Sequence, residues 1–280
     1  MAKSERATAG DWLPADEFRG QVAVVTGGGT GLGLEIGRGL AARGATVVVL
    51  SRSAEHHAAL KDEGARRGWK IESASVDVRE SPSVQKAAAE VLAKHGKVDL
   101  LVNNAAGNFV CPSERLSANA WRAVLGIVLD GTFYCSRDFG RAMIAAKRGV
   151  MLNVVATYAT TGMPGVAHSA SAKAGVLALT KTLAAEWAPH GIRVNAIAPG
   201  PFESEGSAAN LWPTAEARAA MERKIPLGRF APAEEIARHS LYLLSSLCGW
   251  VTGACLTVDG GMSLPPPMWV PGKRVARENA

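Results

Sequence analysis

A chain of 280 residues, 48% hydrophobic and 20% charged, can form one large α/β domain or two small ones, and it has no apolar run near the ~20 residues of a membrane helix. The formal charge of +6 suits a phosphate-rich ligand and equally an ordinary basic enzyme, and no Lys/Arg run points to nucleic acid. Cys111, Cys135, Cys248 and Cys255 follow no metal-ligand spacing, and no metal is expected. The first twenty residues mix acids and bases without an apolar signal core, and the terminal Arg277-Glu278-Asn279-Ala280 is not a peroxisomal address. Reduced thiols and a cytoplasmic location are the default expectation.

Residues 1–19 read as an arm without its own core. Gln21 to Val25 forms a short apolar strand, followed by Thr26-Gly27-Gly28-Gly29-Thr30-Gly31-Leu32-Gly33, and Leu34, Ile36 and Leu40 continue at helical spacing. A glycine turn between strand and helix lets backbone N–H groups approach a pyrophosphate at the helix N-terminus. The TGxxxGxG spacing resembles the short-chain dehydrogenase/reductase version of the Rossmann loop. That resemblance implies cofactor contacts from Gly27, Gly29, Thr30, Gly31, Leu32 and Gly33.

The second strand, Thr46 to Leu50, ends in Ser51-Arg52. An NAD enzyme wants a carboxylate at the first of these positions for the ribose 2′-hydroxyl. Ser51 carries no repelling charge and Arg52 can pair with a 2′-phosphate, which predicts NADPH. A polar helix over Ala54 to Arg67 and a strand over Lys70 to Val76 lead to Asp77-Val78, matching the family's adenine contact. Ser81 to His95 is helical, and Val98 to Val102 is the fourth strand. It runs into Asn103-Asn104-Ala105, a family hallmark that supports the sheet and the cofactor pocket.

A long helix is expected over 117–146, with Trp121, Leu125, Val128, Leu129 and Phe133 apolar. Val128 stands where ordinary family members place a catalytic Asn. Gly149 to Ala156 reads as a buried strand, with Tyr158 just past its carboxyl end, where ligands bind in open α/β sheets. A helix over about 168–189 carries Ser169 and Lys173. In the ordinary pattern a Tyr stands four residues before the Lys, one turn away on the same face. Here that residue is Ser169, and the usual upstream Ser is Ala156.

Ile192 to Gly200 is the sixth strand, and Pro199-Gly200-Pro201-Phe202 is the turn expected to meet the nicotinamide carboxamide. Residues 203–230 form an insert suited to a substrate lid. Ala233 to Ser245 is helical, Cys255 to Gly261 closes the sheet, and an extended tail runs over 263–280. The strand–helix alternation predicts an α/β fold: a single Rossmann-type, doubly wound parallel sheet of about seven strands over 20–262, with helices on both faces.

The arrangement of Asn108, Tyr158, Ser169 and Lys173 resembles the 2,4-dienoyl-CoA reductase branch of the family. The resemblance implies that Asn108 and Tyr158 hydrogen-bond a thioester oxygen, that Lys173 holds the nicotinamide ribose, and that Ser169 orients that ammonium. It places Arg79 on the CoA side and Phe109 and Ser117 against substrate. Asn210 stands where this branch implies a CoA-binding Arg, and Glu203 and Glu205 add negative charge. The expected reaction is NADPH-dependent reduction of a C=C bond conjugated to an acyl-CoA thioester, alicyclic enoyl-CoA included. A carbonyl reductase using Tyr158 as acid and a weakly catalytic NADPH-binding protein are the alternatives. The resemblance implies pairing of the helices at 117–146 and 168–189 between copies, hence a homotetramer, or at least a dimer.

Overall fold

The computed structural model describes residues 13–53, 55–204, 211 and 214–265. Its strands are β1 (Val22–Thr26), β2 (Thr46–Ser51), β3 (Lys70–Ser75), β4 (Leu100–Asn103), β5 (Gly149–Val154), β6 (Ile192–Pro199) and β7 (Cys255–Val258). They pair in the order β3-β2-β1-β4-β5-β6-β7, each neighbouring pair parallel. Between them run α1 (Gly31–Ala41), α2 (Glu55–Arg67), α3 (Ser81–His95), α4 (Ala118–Leu125), α5 (Gly131–Ala146), α6 (Tyr158–Thr161), α7 (Ala167–Trp187), α8 (Ala215–Glu222) and α9 (Ala233–Leu244).

A parallel strand covered on both faces needs apolar side chains at successive positions, and β1 and β2 are such runs. Period-two alternation divides β1 between two cores. Ala23 and Val25 pack with Leu32, Ile36 and Leu40 of α1 and Ile236 and Leu241 of α9. Val22 and Val24 pack with Val84 and Val91 of α3, Phe139 and Met143 of α5 and Leu183 of α7. Each fully buried aliphatic side chain of this kind contributes about 1.5–3 kcal/mol.

Two expectations are revised. The segment before β1 is not a coreless arm throughout: Leu13 and Phe18 are 1% and 0% exposed and belong to the α1/α9 core. The Phe18 N–H donates to the Arg43 carbonyl at 3.1 Å, which ties this segment to the α1–β2 turn. Residues 1–12 lie outside the described residues. The helix expected over 117–146 is interrupted by a π turn, Gly126–Asp130, between α4 and α5. Glu205 and Asn210 of the insert, and the tail from 266 onward, also lie outside the described residues.

The strand order reverses between β1 and β4, and this places a crevice at their carboxyl ends. A buried polar relay braces that end. Asn103 Nδ2 donates to Asn153 Oδ1 and to Ser136 Oγ, both at 2.9 Å. Asn153 Nδ2 in turn donates to Thr180 Oγ1 at 2.9 Å, linking β4, β5, α5 and α7. Asn153→Ala removes a fully buried link and is expected to cost about 1–3 kcal/mol in chemical denaturation, the penalty for stranding a buried polar group. An unchanged denaturation midpoint would show that the relay does not brace the sheet.

Candidate active site

The crevice begins at the glycine turn. Thr26 Oγ1 accepts from the Asn104 and Ala105 N–H groups at 3.0 and 3.1 Å and donates to the Val102 carbonyl at 3.3 Å. Asn104 Nδ2 donates back to the Thr26 and Gly27 carbonyls at 3.1 and 3.0 Å. The turn and the Asn-Asn-Ala segment are thereby one rigid unit. Gly27 has φ +62, and a Cβ there would sit 2.9 Å from Ala105 Cα. A Cβ at Gly33 would collide with the Asn104 amide and the Gly27 carbonyl. The side chain of Thr30, at the N-cap of α1, makes no capping bond, and the first turn carries no acid. The N–H groups at that end are therefore available to an anion.

A cavity of about 460 Å³ opens beside this turn. It is lined by Gly27, Gly29 and Thr30, by Ser51-Arg52, by Asp77-Val78 and by Asn104-Ala105. The uncapped helix end, the glycine turn and a cationic margin at Arg52 fit a dinucleotide. Arg79 pairs with Asp77 at the margin of this cavity. Its guanidinium donates twice to Asp77 Oδ2, at 2.5 and 3.0 Å, and once to Oδ1 at 3.0 Å, and it holds the Asp77 carboxyl below its usual pKa range.

A second cavity, about 340 Å³, shares Asn104 and Ala106 with the first. Its walls bring together Asn108, Tyr158, Ser169 and Lys173 with Leu32 and the Pro199–Phe202 turn. Asn108 Oδ1 accepts from the Phe109 N–H at 2.9 Å, which fixes the amide and aims Nδ2 at the Tyr158 hydroxyl, 3.3 Å away. The same hydroxyl lies 3.1 Å from Ser169 Oγ. Burial pushes the Tyr158 pKa up, and the bonds to Ser169 and Asn108 offset part of that rise. The phenol therefore keeps its proton at neutral pH and can donate it in a hydrogen bond.

Lys173 is 6% exposed, and its ammonium donates to the Val154 carbonyl at 2.5 Å, not to the phenol. Burial lowers its pKa to about 8. Val128 is buried in the π turn and Ala156 lines the cavity, so neither position carries a polar side chain. Phe109 and Ser117 do not line the cavity. Phe109 packs edge-on to the His168 ring, centroids 4.3 Å apart, and the Ser117 hydroxyl caps α4 by accepting from the Ala120 N–H at 3.2 Å.

Sequence reasoning passed over Met163 and Met262, which also line the cavity. Both pack against the cluster of Met221, Ile225 and Phe230 beneath α8. They are 99 positions apart with no shared period, so no local pattern marks them. Arg218 holds α8 in place: it stacks on Phe230, 4.6 Å from the ring centroid, and bonds Glu203 at 3.0 Å and Glu222 at 3.1 Å.

Residues 27–263 match the sequence model of the family described as enoyl-(acyl carrier protein) reductase. The chain is 43% identical over 248 residues to a Bacillus subtilis protein named probable 2,4-dienoyl-CoA reductase, (2E)-enoyl-CoA-producing, an alignment spanning 88% of this chain and 98% of that one. A crystal structure of a short chain dehydrogenase from Bacillus anthracis superposes with a TM-score of 0.83 at 44% identity, covering 89% of this chain and 98% of the other. A gluconate 5-dehydrogenase from Burkholderia cenocepacia, solved in complex with NADP and tartrate, does so with a TM-score of 0.84 at 35% identity and the same coverage. Sequence match and three-dimensional likeness agree over nearly the whole chain, which belongs to the short-chain dehydrogenase/reductase family.

Proposed function

We propose that the chain catalyses NADPH-dependent reduction of a C=C bond conjugated to an acyl-CoA thioester, with 2,4-dienoyl-CoA and 2-enoyl-CoA as the substrate class and alicyclic enoyl-CoA within it. The observation that carries this reading is the Tyr158 hydroxyl, held between Asn108 Nδ2 and Ser169 Oγ in the cavity that also contains Lys173. The name of the Bacillus subtilis relative supports it.

Reducing a ketone requires a proton on the alkoxide oxygen, hence an acid paired with a nearby ammonium. Reducing a conjugated thioester instead gathers negative charge on the carbonyl oxygen as an enolate. Two donors at that oxygen meet the need. Asn108 Nδ2, which here donates to the phenol oxygen, and the Tyr158 O–H would provide them by turning to that oxygen, with Ser169 Oγ steadying the phenol. NADPH, when bound, supplies the hydride that adds to the far end of the conjugated system. Lys173 would hold the nicotinamide ribose, and its ammonium would add a favourable field toward the enolate. The carbon can then take its proton from water.

Losing one oxyanion donor typically costs about 10²–10³ in kcat, so Tyr158→Phe should slow single-turnover reduction of a 2,4-dienoyl-CoA by that order and leave NADPH binding nearly unchanged. A rate within about threefold of the parent, far short of that loss, would reduce the phenol to a structural role.

Cofactor choice follows from Ser51-Arg52, which present a hydroxyl and a cation to the dinucleotide cavity. The neighbour solved with NADP supports the same choice. One charge-assisted pair to the 2′-phosphate favours NADPH by roughly 10–100-fold. The ratio of kcat/KM for the two cofactors, before and after Arg52→Ala, checks this; equal use of NADH by the parent protein defeats it.

We also propose a homotetramer. Phe133 on α5 and Trp250 are exposed aromatic side chains that an interface between copies would cover. Light scattering at micromolar concentration should give a multiple of the 29.2 kDa chain mass, and a monomer would contradict the assembly.

A further inference from the structure

Ser51 ends β2 on the wall of the dinucleotide cavity, beside Arg52 and Ser53. Its hydroxyl is not free to turn at random. Ser51 Oγ lies 3.1 Å from the Ser53 carbonyl and 2.6 Å from Nε2 of His57. His57 stands in the first turn of α2 and is 3% exposed, behind the cavity wall and not in it. A carbonyl can only accept, and it takes the single Ser51 proton in the tautomer of His57 that carries its N–H on Nε2. In that tautomer Ser51 Oγ accepts across the short contact to His57. An anion entering beside Arg52 offers a stronger acceptor than a backbone carbonyl. The hydroxyl proton can swing to that anion while the His57 N–H keeps the oxygen in place.

We propose that His57 is a positioning residue for cofactor selection: it anchors Ser51 Oγ so that the hydroxyl is presented to the 2′-phosphate of NADPH. This rests on the NADPH reading above. The anchor discriminates because the same hydroxyl meets only a neutral 2′-hydroxyl in NADH, and hydrogen bonds to charged acceptors are the stronger ones. His57 thus acts on the cofactor only through Ser51, and it is separate from the groups that handle substrate.

The test is direct binding of NADPH and NADH to the full-length protein, followed by reduced-nicotinamide fluorescence, with parent, His57→Leu, His57→Gln and Ser51→Ala. His57→Leu should lower the NADPH preference in Kd by about three- to tenfold, the scale of one ordinary hydrogen bond. His57→Gln, whose side-chain amide can offer an N–H from a similar place, should restore most of it. Ser51→Ala should lose the preference to a similar degree, and adding His57→Leu to it should change nothing more. The role of His57 is overturned by an unchanged NADPH preference in His57→Leu, by equal weakening of both cofactors, or by Gln failing where Leu fails. A parent protein that binds NADH as well as NADPH would instead remove the NADPH reading on which the role depends. The two failures are therefore told apart by the parent protein alone.

Discussion

An ammonium taken out of water must find acceptors or give up its charge, and this constraint shapes the site. Lys173 is buried in α7, and its Nζ reaches one carbonyl, that of Val154 at the end of β5. That bond fixes how α7 lies over the carboxyl end of the sheet. Because Ser169 precedes Lys173 by one helical turn, the same docking carries Ser169 Oγ to the Tyr158 hydroxyl. Asn108 then arrives from the loop after β4 and completes the cluster at the phenol. With the lysine lowered to about pKa 8, a bound polyhydroxyl or anionic partner would favour the charged form.

The dinucleotide cavity is built on the same economy of polar groups. Thr26 satisfies two N–H groups of the Asn104-Ala105 turn, and Asn104 satisfies two carbonyls of the glycine turn. These four backbone groups are thereby matched between the ends of β1 and β4, the strands that flank the switch point. Asn104 and Ala106 then serve as a wall common to both cavities. A ligand held at the glycine turn and a group held at Lys173 are therefore registered against each other by one short segment. Such registration is what a hydride transfer between two bound molecules requires.

Much of this was legible in the sequence wherever a local rule was decisive. The apolar runs of β1 and β2, the glycine turn and the helical spacing after it specify a strand–turn–helix unit without tertiary information. Tyr158 was marked by its place just past a buried strand, and the structure sets its hydroxyl against Asn108 and Ser169. Some features that escaped depend on contacts between distant segments, and others on local geometry that no spacing rule encodes. Leu13 and Phe18 look like part of a polar arm until the α1–β2 turn gives them a partner. The π turn at Gly126–Asp130 inserts into a run whose apolar pattern reads equally well as an unbroken helix. Arg79 pairs with Asp77, two residues away, a contact that no spacing rule marks. His57 sits on a polar helix, and only the fold brings its ring to Ser51.

In the proposed reaction the cluster of Asn108, Tyr158 and Ser169 stabilises charge on a thioester oxygen and does not protonate a ketone. The most direct measurement is NADPH oxidation by the intact protein across a 2,4-dienoyl-CoA, a 2-enoyl-CoA, a cyclohexenylcarbonyl-CoA and a set of simple ketones. The account predicts turnover with at least one of the conjugated thioesters and none above background with the ketones. Ketone reduction as fast as that of the conjugated thioesters would contradict it.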